Sequence, residues 1–444
     1  MLNLKVEEIN YPYLEKPVEI YTMPSGHKVV FAYKEGGLVN ISTWVKTGSI
    51  NENDEINGIS HFLEHLMFKG THKHKAGDFD KILEGYGAIV NAATWKDYTY
   101  YYVTLPKGPN DKYFYDAIAL HADMMLDPVL PKDELGEPFV YGVNEPSTKR
   151  ERSVVIEEIR MRKDQPGTRV YNTLNSMMYK QHPYKRDVIG TPEIIASIPQ
   201  QTIMDYYRSF YTPNNMTTII VGDFDSEMAL VKVIKEFNFK GRKNNYVMQK
   251  EIEKPLGQTQ YTEQHANINT AFLMFGYLGP IAKDIKANVG LDIINMVLGD
   301  GMSSRLYQRL IEKYPENIFN QIGTEFYQFK DGSNFFVQGN FDASKKDIAI
   351  ELIKKEVEEI ISEKITNDEL LKAKKKIKVA YATTAETVSD IADNIGFYMT
   401  VLNDLSLAEE YIKCIEDISA EEVLEIGKQY LTLDKASISV LLPE

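Results

Sequence analysis

The sequence predicts an α+β protein of two related domains, each a mostly antiparallel sheet covered by helices. Three observations carry that prediction. At 444 residues the chain exceeds what one ordinary core encloses. Short β-rich runs bounded by turns alternate with stretches of helical periodicity. A helix feeding a strand also recurs: residues 198–221 align without a gap with residues 418–441, pairing Ile203 with Val423, Asp205 with Glu425, Arg208 with Lys428, Thr212 with Thr432 and Ile220 with Val440.

Taken in order, residues 19–23 and 28–33 read as strands on either side of the turn Pro24-Ser25-Gly26, and residues 40–46 as a third. Residues 58–68 read as a helix, because Ile59, Phe62, Leu63 and Leu66 recur at i, i+3, i+4 and i+7 and make one side apolar. Ser60 stands near a capping position, and Lys69-Gly70-Thr71 can close the helix. Residues 91–105, rich in Thr, Tyr and Val, read as a strand; ordinary β propensity accounts for Tyr98, Tyr100, Tyr101 and Tyr102 as well as an aromatic substrate chamber does. Residues 112–126 return to helical spacing, with His121 packed among them. A polar connector divides the chain into domains 1–236 and 258–444, with residues 237–257 as linker.

Hydrophobic residues at 43% and charged residues at 26% describe a soluble globular protein. The formal charge of -14 excludes a nucleic-acid partner, and Lys374, Lys375, Lys376 and Lys378 form a solvated helix face. Cys414 is the single cysteine, so no internal disulfide forms; its setting suits a buried structural thiol. The first residues lack the basic start and apolar core of a signal peptide, and no run approaches a membrane span, so the expectation is a cytoplasmic protein with no membrane partner.

The chemistry concentrates in His61-Phe62-Leu63-Glu64-His65. Two histidines four apart on a helix project from one face within reach of one ion, and neutral imidazole is a favoured zinc ligand. Glu64, beside them, can accept the proton of a water that zinc acidifies. The third ligand belongs on another element, and the best segment is residues 151–161, where Glu151 and Glu158 lie seven apart on one helix face. Spacing alone does not choose between Glu157 and Glu158. His72 and His74, in a polar turn, read as surface residues, and residues 289–295, at the corresponding place in the second half, offer no histidine pair. One half is therefore catalytic and the other a structural or substrate-holding copy.

His61 to Thr71, then Asn91-Ala92-Ala93-Thr94, then residues 151–161 resemble the pitrilysin and insulysin zinc peptidases, especially the subgroup similar to the mitochondrial processing peptidase. His182-Pro183-Tyr184, Ile189-Gly190-Thr191, Tyr211-Thr212-Pro213-Asn214-Asn215 and Gly222-Asp223 extend the likeness, which is densest before Asp225. The resemblance implies one zinc ion per chain held by His61, His65 and Glu158, with Glu64 as base on a zinc-bound water and Glu151 as a supporting acid in catalysis. It implies that Asn91 and Ala92 lie on an edge strand that pairs with an extended peptide substrate. It also implies an endopeptidase whose two domains form half of a clamshell chamber. The alternative is a non-catalytic assembly or peptide-binding subunit that kept the fold.

Two departures stand out. Residues 136–149 form an inserted loop, either a lid, a partner contact or a passive surface loop. Leu298-Gly299-Asp300-Gly301-Met302-Ser303-Ser304-Arg305-Leu306 resembles the family's glycine segment and lacks the ending of a phosphate loop, yet the positions where relatives place an arginine and a tyrosine hold Ile311 and Ile318. Neither can donate a hydrogen bond. The expectation is that a homologous partner subunit supplies those two side chains, in a heterodimer by preference to a homodimer.

Overall fold

The computed structural model describes residues 4–239, 253, 254 and 256–444, so most of the expected linker lies outside the described residues. Seven strands, β1 (Lys5–Ile9), β2 (Val18–Thr22), β3 (Lys28–Tyr33), β4 (Leu38–Val45), β5 (Ile89–Thr94), β6 (Thr99–Pro106) and β7 (Met216–Gly222), form one sheet in the order β1-β2-β3-β7-β4-β6-β5. Five more, β8 (Gln260–Ala266), β9 (Ala271–Gly279), β10 (Phe319–Phe329), β11 (Gly332–Phe341) and β12 (Ser437–Pro443), form a second in the order β8-β12-β9-β11-β10. All neighbours are antiparallel except β3 with β7 and β8 with β12.

The second sheet repeats the order and strand directions of β3-β7-β4-β6-β5 in the first, parallel pair included. The gapless repeat falls within it: helix Gln200–Phe210 followed by β7 matches helix Ala420–Tyr430 followed by β12. The chain is thus α+β and built on one topology used twice.

The single strand expected over residues 91–105 is a hairpin. The chain reverses where the Trp95 N–H meets the Tyr98 carbonyl at 2.8 Å, and β5 and β6 pair from Ile89 with Thr104 to Thr94 with Thr99. Burial in β6 alternates at every residue, with Thr99, Tyr101, Val103 and Leu105 inward, as expected of a strand with two unlike faces.

The compact units are not the contiguous domains expected. One comprises Met1–Arg160, Arg186–Gln249 and Ala382–Ala408; the other comprises Met161–Lys185, Lys250–Tyr381 and Glu409–Glu444. In the first unit, helix Val388–Phe397, from the second half of the sequence, packs on β4 and β7. Gly396 lies so close to the Trp44 indole that a Cβ there would fall 2.0 Å from the ring. In the second, helix Pro166–Met178, from the first half, packs on β9 and β12, with Leu174 and Met178 against Gly276. Helical periodicity tells which side of a helix is apolar but not which sheet it covers, so the exchange was invisible in the sequence. Among the described residues no helix is long and apolar enough to cross a membrane.

Candidate metal centre

The histidine helix, Ile59–Met67, buries Ile59, Phe62, Leu63, Leu66 and Met67 completely in the core of the first unit. Each such side chain is worth roughly 1.5–3 kcal/mol when buried, so the core sets the rotation of this helix and leaves His61 and His65 half-buried on the other side. Its start is not capped by Ser60. The N-cap is Gly58, at φ +95°, and the capping acceptor is the buried carboxylate of Glu52. That group receives the N–H of Gly58 at 2.8 Å, the N–H of Ser60 at 2.9 Å and the side-chain amide of Asn57 at 2.8 Å. Burial pushes the Glu52 carboxyl up and these donors pull it back. The Ser60 hydroxyl is instead paired with Tyr206, at 2.8 Å.

The second helix of the site is Glu151–Lys163. Glu158 Oε2 lies 3.7 Å from His61 Nε2 and 3.6 Å from His65 Nε2, and the ligand atoms of the three residues are within 4.8 Å of one another. Among the described residues this is the only group of three or more His, Cys, Asp or Glu that converges so. Donors about 2 Å from one tetrahedral ion sit roughly 3.3 Å apart, so two imidazole nitrogens and a carboxylate oxygen at these separations fit zinc, with a fourth position left over. Glu157 turns away and pairs with Arg160, so of the two adjacent glutamates it is Glu158 that faces the histidines.

Glu151 Oε1 is 2.9 Å from His65 Nδ1, and its Oε2 is 2.7 Å from Lys69 Nζ. Holding Nδ1 points the other ring nitrogen at Glu158, the usual office of a carboxylate behind a metal-binding histidine. Burial alone would raise the Glu151 carboxyl, but His65 and Lys69 outweigh it and hold the group below its ordinary range. Burial likewise opposes charge on His65, yet its bonds to Glu151 and Glu158 push it up to about 9.

Glu64 is nearly buried and is no ligand; its Oε2 accepts the Thr94 hydroxyl at 2.6 Å. Burial raises its carboxyl more than Thr94 and His65 lower it, as suits a proton acceptor. Asn91 and Ala92 lie on β5, the outermost strand of the sheet, with Asn91 exposed and its Oδ1 accepting the Ala92 N–H at 2.9 Å. The same strand ends in Thr94, so the open sheet edge runs up to Glu64. Thr94 closed the Asn-Ala-Ala-Thr motif in the sequence, but nothing there marked it as a partner of the glutamate.

The loop 136–149 is fastened to the glutamate helix. Arg160 donates to the Tyr141 hydroxyl at 3.1 Å, lies over its ring and pairs with Glu145 at 2.8 Å. Elsewhere His72 is exposed, while His74 is tied to the buried carboxylate of Asp123 at 2.9 Å. His121 is buried against the Thr43 hydroxyl at 2.9 Å, and burial pushes it down to about 3. Cys414, half-buried, has its thiol raised by burial. In the second unit Ile318 is buried and Ile311 half-buried.

Comparison with known proteins identifies the family. The family model described as Insulinase (Peptidase family M16) matches residues 28–192, and that described as Peptidase M16 inactive domain matches residues 197–377. The chain is 27% identical over 422 residues to the uncharacterized zinc protease YmxG of Bacillus subtilis (strain 168), covering 94% of this chain and 97% of that one. It is 29% identical over 439 residues to the zinc protease PqqE of Helicobacter pylori, covering 96% and 92%. Among solved structures, a protease from Helicobacter pylori superposes with a TM-score of 0.83 at 26% identity over 99% of this chain and 100% of the other. A peptidase M16 inactive domain from Pseudomonas fluorescens reaches 0.84 at 18% identity over 96% and 98%, a likeness of fold alone.

Proposed function

Because the chain belongs to peptidase family M16, we propose that it is a zinc-dependent endopeptidase that hydrolyses extended peptides or unfolded segments. The observation that carries this reading is the convergence of His61, His65 and Glu158 beside a buried Glu64. Those three side chains would hold one zinc ion. When bound, zinc supplies Lewis acidity, polarising a scissile carbonyl and acidifying water.

Glu64 takes the proton of the attacking water on its carboxylate and delivers it to the departing amine. Thr94 fixes one oxygen of that carboxylate by its hydroxyl. Glu151, itself anchored by Lys69, holds His65 in orientation. The substrate adds as a further strand to the free edge of β5 at Asn91 and Ala92, where main-chain hydrogen bonds give affinity with little sequence preference.

A developing oxyanion calls for a donor commonly worth about a hundredfold in rate. Ile311 and Ile318 provide none, so the reading includes a homologous partner subunit that contributes an arginine and a tyrosine, in a heterodimer by preference. Turnover by the purified single chain with zinc, equal to that of any assembled form, would sink this part.

Glu64→Gln tests the whole. Zinc should be retained, and peptide hydrolysis should fall by about a thousandfold or more. Hydrolysis at the wild-type rate would refute the role of Glu64. Peptide binding by the wild type that persists in a chelator, with no cleavage product at any stage, would favour a subunit that binds peptides without turnover.

A further inference from the structure

The glutamate helix opens on a buried cation. Arg152 is 1% exposed, and its charge is met by carbonyls. Nε donates to the Gly136 carbonyl at 3.3 Å, Nη1 to those of Ile195 and, at 3.3 Å, Ala196, and Nη2 to that of Ile198 at 2.8 Å. The last three belong to the C-terminal end of helix Pro192–Ser197, where the backbone dipole is negative. The guanidinium also lies over the Phe62 ring, 5.2 Å from its centre. Phe62 is the residue after His61.

Burying a cation is expensive unless its surroundings are arranged for it, and an apolar side chain would cover Phe62 without that cost. We infer that Arg152 is a positioning residue for the metal ligands: it locks the first turn of the glutamate helix to the 195–198 carbonyls and to the histidine helix. That lock sets the rotation which turns Glu151 to His65 and Glu158 to both imidazoles. One rotation serves both acids, because residues seven apart return to nearly the same face after two turns. A slip of one residue, roughly 100°, would remove both together.

The inference rests on the metallopeptidase reading above, and the experiment separates the two. Zinc affinity by competition with a chromogenic chelator, peptide kinetics and thermal unfolding are measured for the wild type, Arg152→Met and Arg152→Lys. Arg152→Met, which keeps an unbranched apolar stem and removes the guanidinium, should bind zinc roughly ten- to a hundredfold more weakly, a loss typical of residues that orient ligands. Its kcat should fall while KM stays put, since β5 is untouched. Arg152→Lys should recover part of both losses.

A folded Arg152→Met with wild-type zinc affinity and kcat overturns the inference and leaves the metallopeptidase reading standing. If Arg152→Met does not fold, Arg152→Lys and Phe62→Leu decide: weakened zinc binding in either supports the role, and wild-type affinity in both overturns it. A wild type that binds no zinc and cleaves no peptide refutes the metallopeptidase reading, and this inference with it.

Discussion

At Glu64, burial and neighbours act on one proton in opposite directions. Burial raises the carboxyl, the Thr94 hydroxyl and His65 lower it, and Glu158 raises it. Thr94→Val keeps the shape of the side chain and removes the donor, so Glu64, the proposed base, becomes harder to ionise. The acidic limb of the pH profile of kcat/KM should move to higher pH, with kcat down about tenfold; an unmoved limb would show that Thr94 does not act on the base. The second unit holds a related pair. Asp292, on helix Ile285–Leu298, accepts the Tyr411 hydroxyl at 2.8 Å and the amide of Gln328, on β10, at 3.3 Å. Since β10 takes the place of β5 in the repeated order, an acid bonded to the outer strand recurs without histidines. Burial pushes Asp292 up to about 7 against those two donors. A folded-state value above the unfolded one means the folded chain holds the extra proton: stability is fully present below about pH 4 and lost as pH rises to about 7. Asp292→Asn, which mimics the protonated form, should therefore stabilise the chain at pH 8 by on the order of 1–3 kcal/mol, seen as a higher Tm. Near pH 4 it should change Tm little. An equal effect at both values would mean that Asp292 does not titrate in this range.

The histidine helix shows how an element can be half legible. Its apolar positions and the i, i+4 histidines were readable because a 3.6-residue period projects directly onto one face. Its cap was not, because Glu52 reaches back from a preceding loop, and a side chain that caps from outside the helix has no fixed spacing to recognise. The same limit applied to Glu158: two adjacent glutamates on one helix differ by about 100° of rotation, which only packing or a family motif can resolve. The hairpin of β5 and β6 looks like one strand in the sequence because its turn, Trp95 to Tyr98, has neither glycine nor proline to punctuate it. Gly58 tests how tightly the element is held. Its φ of +95° disfavours any L side chain, and a Cβ there would lie 2.6 Å from the Ile189 carbonyl oxygen. Gly58→Ala should destabilise the first unit by about 1–3 kcal/mol and lower zinc occupancy by shifting His61. Unchanged Tm and zinc content would show that the start of the helix can relax without disturbing the ligands.

For the whole molecule, the repeat in the sequence located the duplication but not how its halves share their helices. Residues 198–221 and 418–441 each stay with their own sheet, whereas Val388–Phe397 and Pro166–Met178 cross over. Both crossing helices cover equivalent strands, β4 with β7 and β9 with β12. Each sheet therefore takes part of its cover from a helix of the other half of the sequence. Residues 1–236 produced alone would leave Trp44, otherwise 2% exposed under Gly396, open to water together with the apolar face around it. Exposed apolar area of that kind drives aggregation. The fragment 1–236 should accumulate as insoluble or molten material despite carrying every proposed zinc ligand. Coexpression with 258–444 should yield a soluble complex that binds zinc and unfolds cooperatively. The measurement is sedimentation and circular dichroism of each fragment alone and together, with zinc content of the soluble fraction. A monomeric, cooperatively folded 1–236 fragment with wild-type zinc affinity would show that the crossing helix is dispensable and that the contiguous half is a domain in its own right.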